Sequence, residues 1–240
     1  MWQQDGIKLK QKLSGHQGSV YTLCTDQSGQ WLYSGGGDGW IVEWSATDPG
    51  NGKLIAEVDD QVFSLLHLPD QRYMIAGAFS GSVFFIDRQQ PGDTRNFRFH
   101  QHGVFDLLLI GDQLWSAGGD GKIGIWDIKR LDMAESLRIS HDRLRSLRLS
   151  PDGEMLAVAS SDHCIYLLHV ASRKILGVIH EAHDNSVFDL AFAQDGKTIF
   201  SGGRDAHLKQ WNWMDEKSLK RDVNAHWYTI NSVSKHPTLD

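Results

Sequence analysis

Cysteine is nearly absent: this 240-residue chain has two, Cys24 and Cys164. They fall in separate strand-like segments, so no disulfide framework organises the fold, and buried single thiols in a reducing compartment are expected. Proline is scarce, at five, and charge is ordinary, so no segment has a disordered composition. No apolar run approaches the roughly 18 residues of a membrane span. The N-terminal MWQQDGIKLK lacks the apolar centre of a signal peptide. Basic residues are not in excess either. A net charge of −6 weighs against a dedicated nucleic-acid binder, which would carry a basic face. The expectation is a soluble, intracellular, cytoplasmic chain with neither membrane nor nucleic acid as partner. The stretches SGGGDG and SAGGDG lack the spacing of a phosphate-binding loop.

Glycine, at 24, and tryptophan, at nine, are plentiful, which suits many turns and large residues packed between sheets. The stretch Ser116 to Asp127, SAGGDGKIGIWD, shows how they are used. Small residues lead into an Asp-Gly turn, where Gly supplies the positive φ of a two-residue hairpin turn, and a strand follows that ends in Trp-Asp. The chain repeats this stretch as SGGGDGWIVEW from Ser34 and as SGGRDAHLKQW from Ser201. Weaker copies run from Ala76 to Ile86 and from Val158 to Leu168. The turn residues Asp38, Ser80, Asp120, Asp162 and Asp205 stand 42, 40, 42 and 43 residues apart. A period of about 40–45 residues with a Trp-Asp ending signals a β-propeller with four strands per blade.

On these residues the chain resembles the WD40 repeat proteins over essentially its whole length. The family's upstream Gly-His stands at Gly15-His16 and is reduced to a lone His at His100, His183 and His226. The Trp-Asp pair survives only at Trp126-Asp127. The resemblance implies one all-β propeller domain of antiparallel four-stranded blades. Its repeats run at about 13–57, 58–99, 100–139, 140–179 and 180–222, with a partial one at 223–240. Ile7 to Leu13 alternates lysines with apolar residues and is expected as an edge strand closing the last blade. Thr229 to Val233 is expected to open a sixth blade. Five complete blades with an orphan strand at each end suggest a piece of a longer, seven-bladed ring, lacking roughly 60 residues at 40–45 per blade. The alternative is that the two terminal strands pack together as a makeshift closure.

Within WD40 blades, matching residues form a hydrogen-bonded chain from Trp to Ser to His to Asp. That implies three such sets here: Trp44, Ser34, His16 and Asp38; Trp126, Ser116, His100 and Asp120; Trp211, Ser201, His183 and Asp205. The physical need is that a buried indole N–H and imidazole be satisfied. Ser, His and Asp together also suit a hydrolase, but no enzyme needs the triad in every other blade, so the role is structural. The second repeat has Val58, Ala76, Ser80 and Ile86 in these places, and the fourth has Ser140, Val158, Asp162 and Leu168. These two blades are expected to be looser. The close pairs His100/His102 and His180/His183 lie in loops rather than on an element that would fix metal ligands. No metal or cofactor is expected.

One position in the first strand of each blade stands out. Tyr21, Phe63, Phe105 and Phe188 each follow a core valine, and Arg145 follows Leu144. Strand alternation turns them away from the valines, toward the channel mouth. Packing between blades is the other fate open to such aromatics. In WD40 proteins this position, with the residue two before it and the one before the turn Asp, commonly forms a partner-binding top face. That implies Arg143, Phe79, Ser161 and Arg204 as well, with Trp227 and Tyr228 in the following loop. Aromatic and Arg side chains dominate interface hot spots, and three arginines together suit an acidic or phosphorylated peptide. The expected function is a non-catalytic scaffold for partner proteins or peptides. A propeller hydrolase using Asp106 and Asp189 at the channel is one alternative, and a structural subunit of a stable complex is the other.

Overall fold

The computed structural model describes residues 9, 11–48, 50–69, 72–215 and 217–235. Among the described residues twenty strands form five antiparallel sheets of four. Blade one holds β1 (Val20–Thr25), β2 (Trp31–Gly36), β3 (Trp40–Ser45) and β4 (Lys53–Glu57). Blade two holds β5 (Val62–His67), β6 (Tyr73–Ala78), β7 (Ser82–Asp87) and β8 (Arg95–Arg98). Blade three has β9 (Val104–Ile110), β10 (Gln113–Gly118), β11 (Lys122–Asp127) and β12 (Asp132–Arg138). In blade four are β13 (Leu144–Leu149), β14 (Met155–Ser160), β15 (Ile165–His169) and β16 (Lys174–Ile179). Blade five has β17 (Val187–Phe192), β18 (Thr198–Gly203), β19 (His207–Asn212) and β20 (Ser218–Asn224).

Apolar layers sit between consecutive blades, because each sheet buries both of its faces. Val62 and Leu65 of β5 press on the bare backbone of Gly35 in β2, Val104 presses on Gly77, and Ile230 on Gly202. A Cβ at Gly35 would stand 2.6 Å from Val62, so glycine sets how closely the blades approach. The first strands β1, β5, β9, β13 and β17 neighbour one another in that order around a central cavity of about 620 Å³.

Three expectations need correction. Residues 7, 8 and 10 of the proposed closing strand lie outside the described residues, and 11–13 are in no strand. Residues 229–233 form no strand either. They lie against blade five, where Ile230 N–H donates to Gly203 O (3.0 Å) and Val233 N–H to Asp189 Oδ2 (2.8 Å). The hairpin turns are not of the two-residue kind. In blades one, two, three and five, three residues separate the strands, and the last of them donates its N–H back across the turn, as Gly39 does to Gly36 O (3.2 Å). This is a tight turn followed by one left-handed residue, supplied by Gly39, Gly81, Gly121 and, in blade five, Ala206.

Candidate functional site

The channel mouth is built by a repeated irregularity. In each first strand the ladder skips one residue: Val20 pairs with Gly36 and Thr22 with Gly35, leaving Tyr21 unpaired. The same skip isolates Phe63, Phe105, Arg145 and Phe188. A bulge of this kind bends the strand and re-aims its extra side chain. The five residues therefore leave the inter-blade layers and line one cavity mouth, together with Val20 and Asn231.

The aromatics touch in sequence. Tyr21 stands edge-on to Phe63 (5.1 Å between centroids), and Phe63 stacks on Phe105 (5.6 Å) and meets Phe79 edge-on (5.6 Å). Arg145 completes the ring. Its guanidinium lies 4.4 Å from the Phe105 centroid and 5.0 Å from that of Phe188. Its Nε donates to Ser161 Oγ (2.8 Å), and its terminal nitrogens have no partner among the described residues. Burial, with the nearby charges of Arg143 and Arg204, pulls its pKa down to about 10. Holding a half-buried cation with no close ion pair is costly, although Asp142 offsets part of that cost from a distance. Arg143 and Arg204 are exposed beside it, and Phe79 is 54% exposed. Trp227 and Tyr228 are almost fully exposed, and no ring contact joins them to the mouth.

Deeper in the channel lies an ion-paired cluster that the sequence reading did not assemble. Arg148 donates to Asp106 (2.8 Å) and to Asp189 (2.6 Å), tying blades three, four and five together. Asp106 also accepts the Leu147 N–H, and Asp189 accepts from Ser146 Oγ (2.7 Å) and Ser232 Oγ (3.1 Å). Burial pushes the Asp106 carboxyl above its ordinary range, with Arg148 opposing it. The signal was legible: in the other four first strands the position of Arg148 holds Cys24, Leu66, Leu108 and Ala191, so a lone charge there needed partners.

The three Trp–Ser–His–Asp chains are present in the structure. Trp211 Nε1–H donates to Ser201 Oγ (2.9 Å), Ser201 lies 2.7 Å from His183 Nε2, and His183 Nδ1 lies 2.9 Å from Asp205. A neutral imidazole satisfies every link. The serine O–H donates to Nε2, and Nδ1–H donates to the carboxylate. The other two chains repeat these contacts within 2.7–3.0 Å. Blade four replaces the chain instead of leaving it empty: Asp162 accepts from Ser140 Oγ (2.5 Å) and from the Tyr166 hydroxyl (2.6 Å). In blade two, Val58, Ala76 and Ile86 fill the place with buried apolar contact. Cys24 and Cys164 are unpaired and only part-buried, and burial pushes the Cys24 thiol up to about 12. Among the described residues no three His, Cys, Asp or Glu side chains are grouped to hold a metal, and no helix is long and apolar enough to cross a membrane.

Comparison with known proteins agrees with this architecture. The family model described as "WD domain, G-beta repeat" matches residues 7–45, 134–168 and 174–212. The chain is similar to transcription factor unc-37 of Caenorhabditis elegans, 27% identical over 192 residues, covering 77% of this chain and 30% of that protein. It is also similar to protein groucho of Drosophila melanogaster, 27% identical over 247 residues, covering 82% and 33%. The 66 kDa stress protein of Physarum polycephalum is 24% identical over 265 residues, covering 92% and 44%. The chain thus spans less than half the length of each of these relatives.

Proposed function

We propose that this chain, which belongs to the WD40-repeat proteins, is a non-catalytic platform that holds a peptide segment of another protein at its channel mouth. The observation that carries the reading is Arg145, held between Phe105 and Phe188 with its terminal nitrogens uncommitted. A carboxylate or phosphate of the bound segment supplies a direct ion pair, and the aromatic ring takes the apolar side chain beside it. Tyr21, Phe63, Phe79, Arg143 and Arg204 extend the same surface. The engagement of Asp106 and Asp189 with Arg148 speaks against a hydrolase, since neither carboxylate is left free to act as acid or base. The unpaired thiols suit a reducing compartment. The name of one relative, a transcription factor, makes the nucleus as apt as the cytoplasm.

The test is affinity capture with the wild-type chain beside a Tyr21→Ala, Phe105→Ala, Arg145→Ala, Arg204→Ala variant of unchanged thermal midpoint. Partners lost only from the variant support the mouth. Phosphatase treatment of the lysate then separates phosphate from carboxylate. Partners held equally by both chains place the site elsewhere.

A second reading, a subunit of a stable assembly, is favoured by one observation. Val20 and Leu23 of β1 are 49% and 62% exposed, where their counterparts in the other blades are buried. Sedimentation of the native protein as a stoichiometric complex that survives dilution supports it; a free monomer in the cell extract excludes it.

A further inference from the structure

The charges around the mouth are arranged by sign. A groove between blades one and two is lined by Glu57, Asp59, Asp60 and Phe79. Asp60 is committed, accepting the Ser80 N–H (2.9 Å), but exposed Glu57 and Asp59 have no partner among the described residues. Phe79 joins this groove to the mouth, because it lines the one and meets Phe63, which lines the other, at 5.6 Å. On the opposite side stand Arg143, Arg145 and Arg204. Asp142 accepts the Arg143 backbone N–H (2.7 Å) and offsets part of the Arg145 charge, but no carboxylate pairs directly with the three arginines among the described residues. The continuous surface therefore runs acidic, aromatic, basic, with charges that lack a direct ion pair at both ends.

We infer that the mouth takes a peptide of mixed charge in a single orientation, its acidic end on the blade-four and blade-five arginines, an apolar side chain over Phe63 and Phe105, and its basic end at Glu57 and Asp59. The inference rests on the mouth being the binding site and adds the charge order and direction of the ligand. A uniformly acidic segment gains at the arginines and is repelled at the groove, and a uniformly basic one the reverse. Only a two-signed ligand gains at both ends, and turning it round exchanges two attractions for two repulsions.

The experiment measures fluorescence anisotropy of labelled peptides at low salt. The probes are Glu-Glu-Phe-Lys-Lys and Lys-Lys-Phe-Glu-Glu, each with short or long glycine spacers around Phe, and the all-acidic Glu-Glu-Phe-Glu-Glu. The two-signed probes are expected to bind better than the all-acidic one. The Glu57→Lys, Asp59→Lys variant is expected to weaken their binding by about threefold or more and to strengthen that of the all-acidic probe, both effects fading in high salt. Both substituted residues are exposed and unpaired, so the variant is expected to keep the wild-type melting curve. Equal binding of all probes, or no binding of any, overturns the charge order. Phe105→Ala separates the two levels. If it abolishes binding while charge order is immaterial, only the present inference fails; if binding ignores Phe105→Ala, the mouth itself is wrong.

Discussion

Val62 Cγ1 fills the space that a side chain on Gly35 would need, at 2.6 Å from where its Cβ would stand. This contact fixes how blades one and two lie together, and among the described residues blade one has no such neighbour on its other side. Val62 is fully buried, while the equivalent Val20 is 49% exposed. Val62→Ala is expected to cost about 2 kcal/mol, as a buried truncation that leaves a void. Gly35→Ala is expected to cost 1–3 kcal/mol (roughly) through overpacking. Val20→Ala should stay within about 0.5 kcal/mol of wild type. Denaturant titration of the three variants checks the series, and equal losses at Val20 and Val62 would show that the open face is covered in solution.

Acid is expected to weaken the fold in two stages. Burial lowers the pKa of His183 from its ordinary 6.5, although Asp205 pulls the other way. The unfolded chain therefore binds this proton at higher pH than the folded one. The contribution is complete above pH 6.5 and declines as pH falls from there through the lower folded value. The second stage belongs to carboxylates. Hydrogen bonds from Arg72 hold Asp87 down at about 2 against an ordinary 3.8, so its contribution is present above 3.8 and is lost as pH falls toward 2. Thermal midpoints recorded against pH should show both slopes. His183→Gln should remove the first and leave the second.

The blades were legible in the sequence because their turns repeat. The bulges were legible too, but by a rule that simple alternation hides. Val62 and Leu65 both press on Gly35 although three residues apart, whereas same-face neighbours on a regular strand are two apart. The spacing recurs as Val20/Leu23, Val104/Leu107, Leu144/Leu147, Val187/Leu190 and Ile230/Val233. Alternation aimed the aromatics toward the mouth, but the extra residue is what frees them from packing between blades. Blade four's substitute for the histidine chain was not legible, because Tyr166 reaches Asp162 from within β15 and no repeat position announces it. Nor did the sequence foretell that residues 229–233 would dock without pairing as a strand.

Turn residues offer a gain in stability. In blade four the left-handed position is held by His163 (φ 73°), where blades one to three use glycine. An L-residue pays about 1–2 kcal/mol for this conformation, and glycine returns part of the difference through its freer unfolded chain. His163→Gly is expected to stabilise by about 0.5 kcal/mol. The reverse change at the matching site of blade three, Gly121→Ala, should cost more than that, since its Cβ would stand 2.2 Å from Ser140 O. A pair of calorimetric scans decides it, and a stabilised Gly121→Ala would refute the account.

The Arg148 cluster tests whether the channel is a structural strut or a latent reactive centre. Arg148→Met keeps much of the side-chain volume but strands Asp106 and Asp189 in the channel wall without their shared cation. Removing one partner of a buried pair costs 3–5 kcal/mol as a rough range, and the residual exposure of Arg148, 36%, argues for the lower end. Asp106→Asn and Asp189→Asn in the Arg148→Met background remove the uncompensated charge, so the triple variant should recover much of the loss. Raising the pH should hurt Arg148→Met most, because the Asp106 carboxyl, which burial already pushes up, must ionise there without its cation, and should leave the triple variant nearly unchanged. If Arg148→Met is instead as stable as wild type at pH 8, the two carboxylates do not need Arg148, and the case against channel chemistry loses its physical basis.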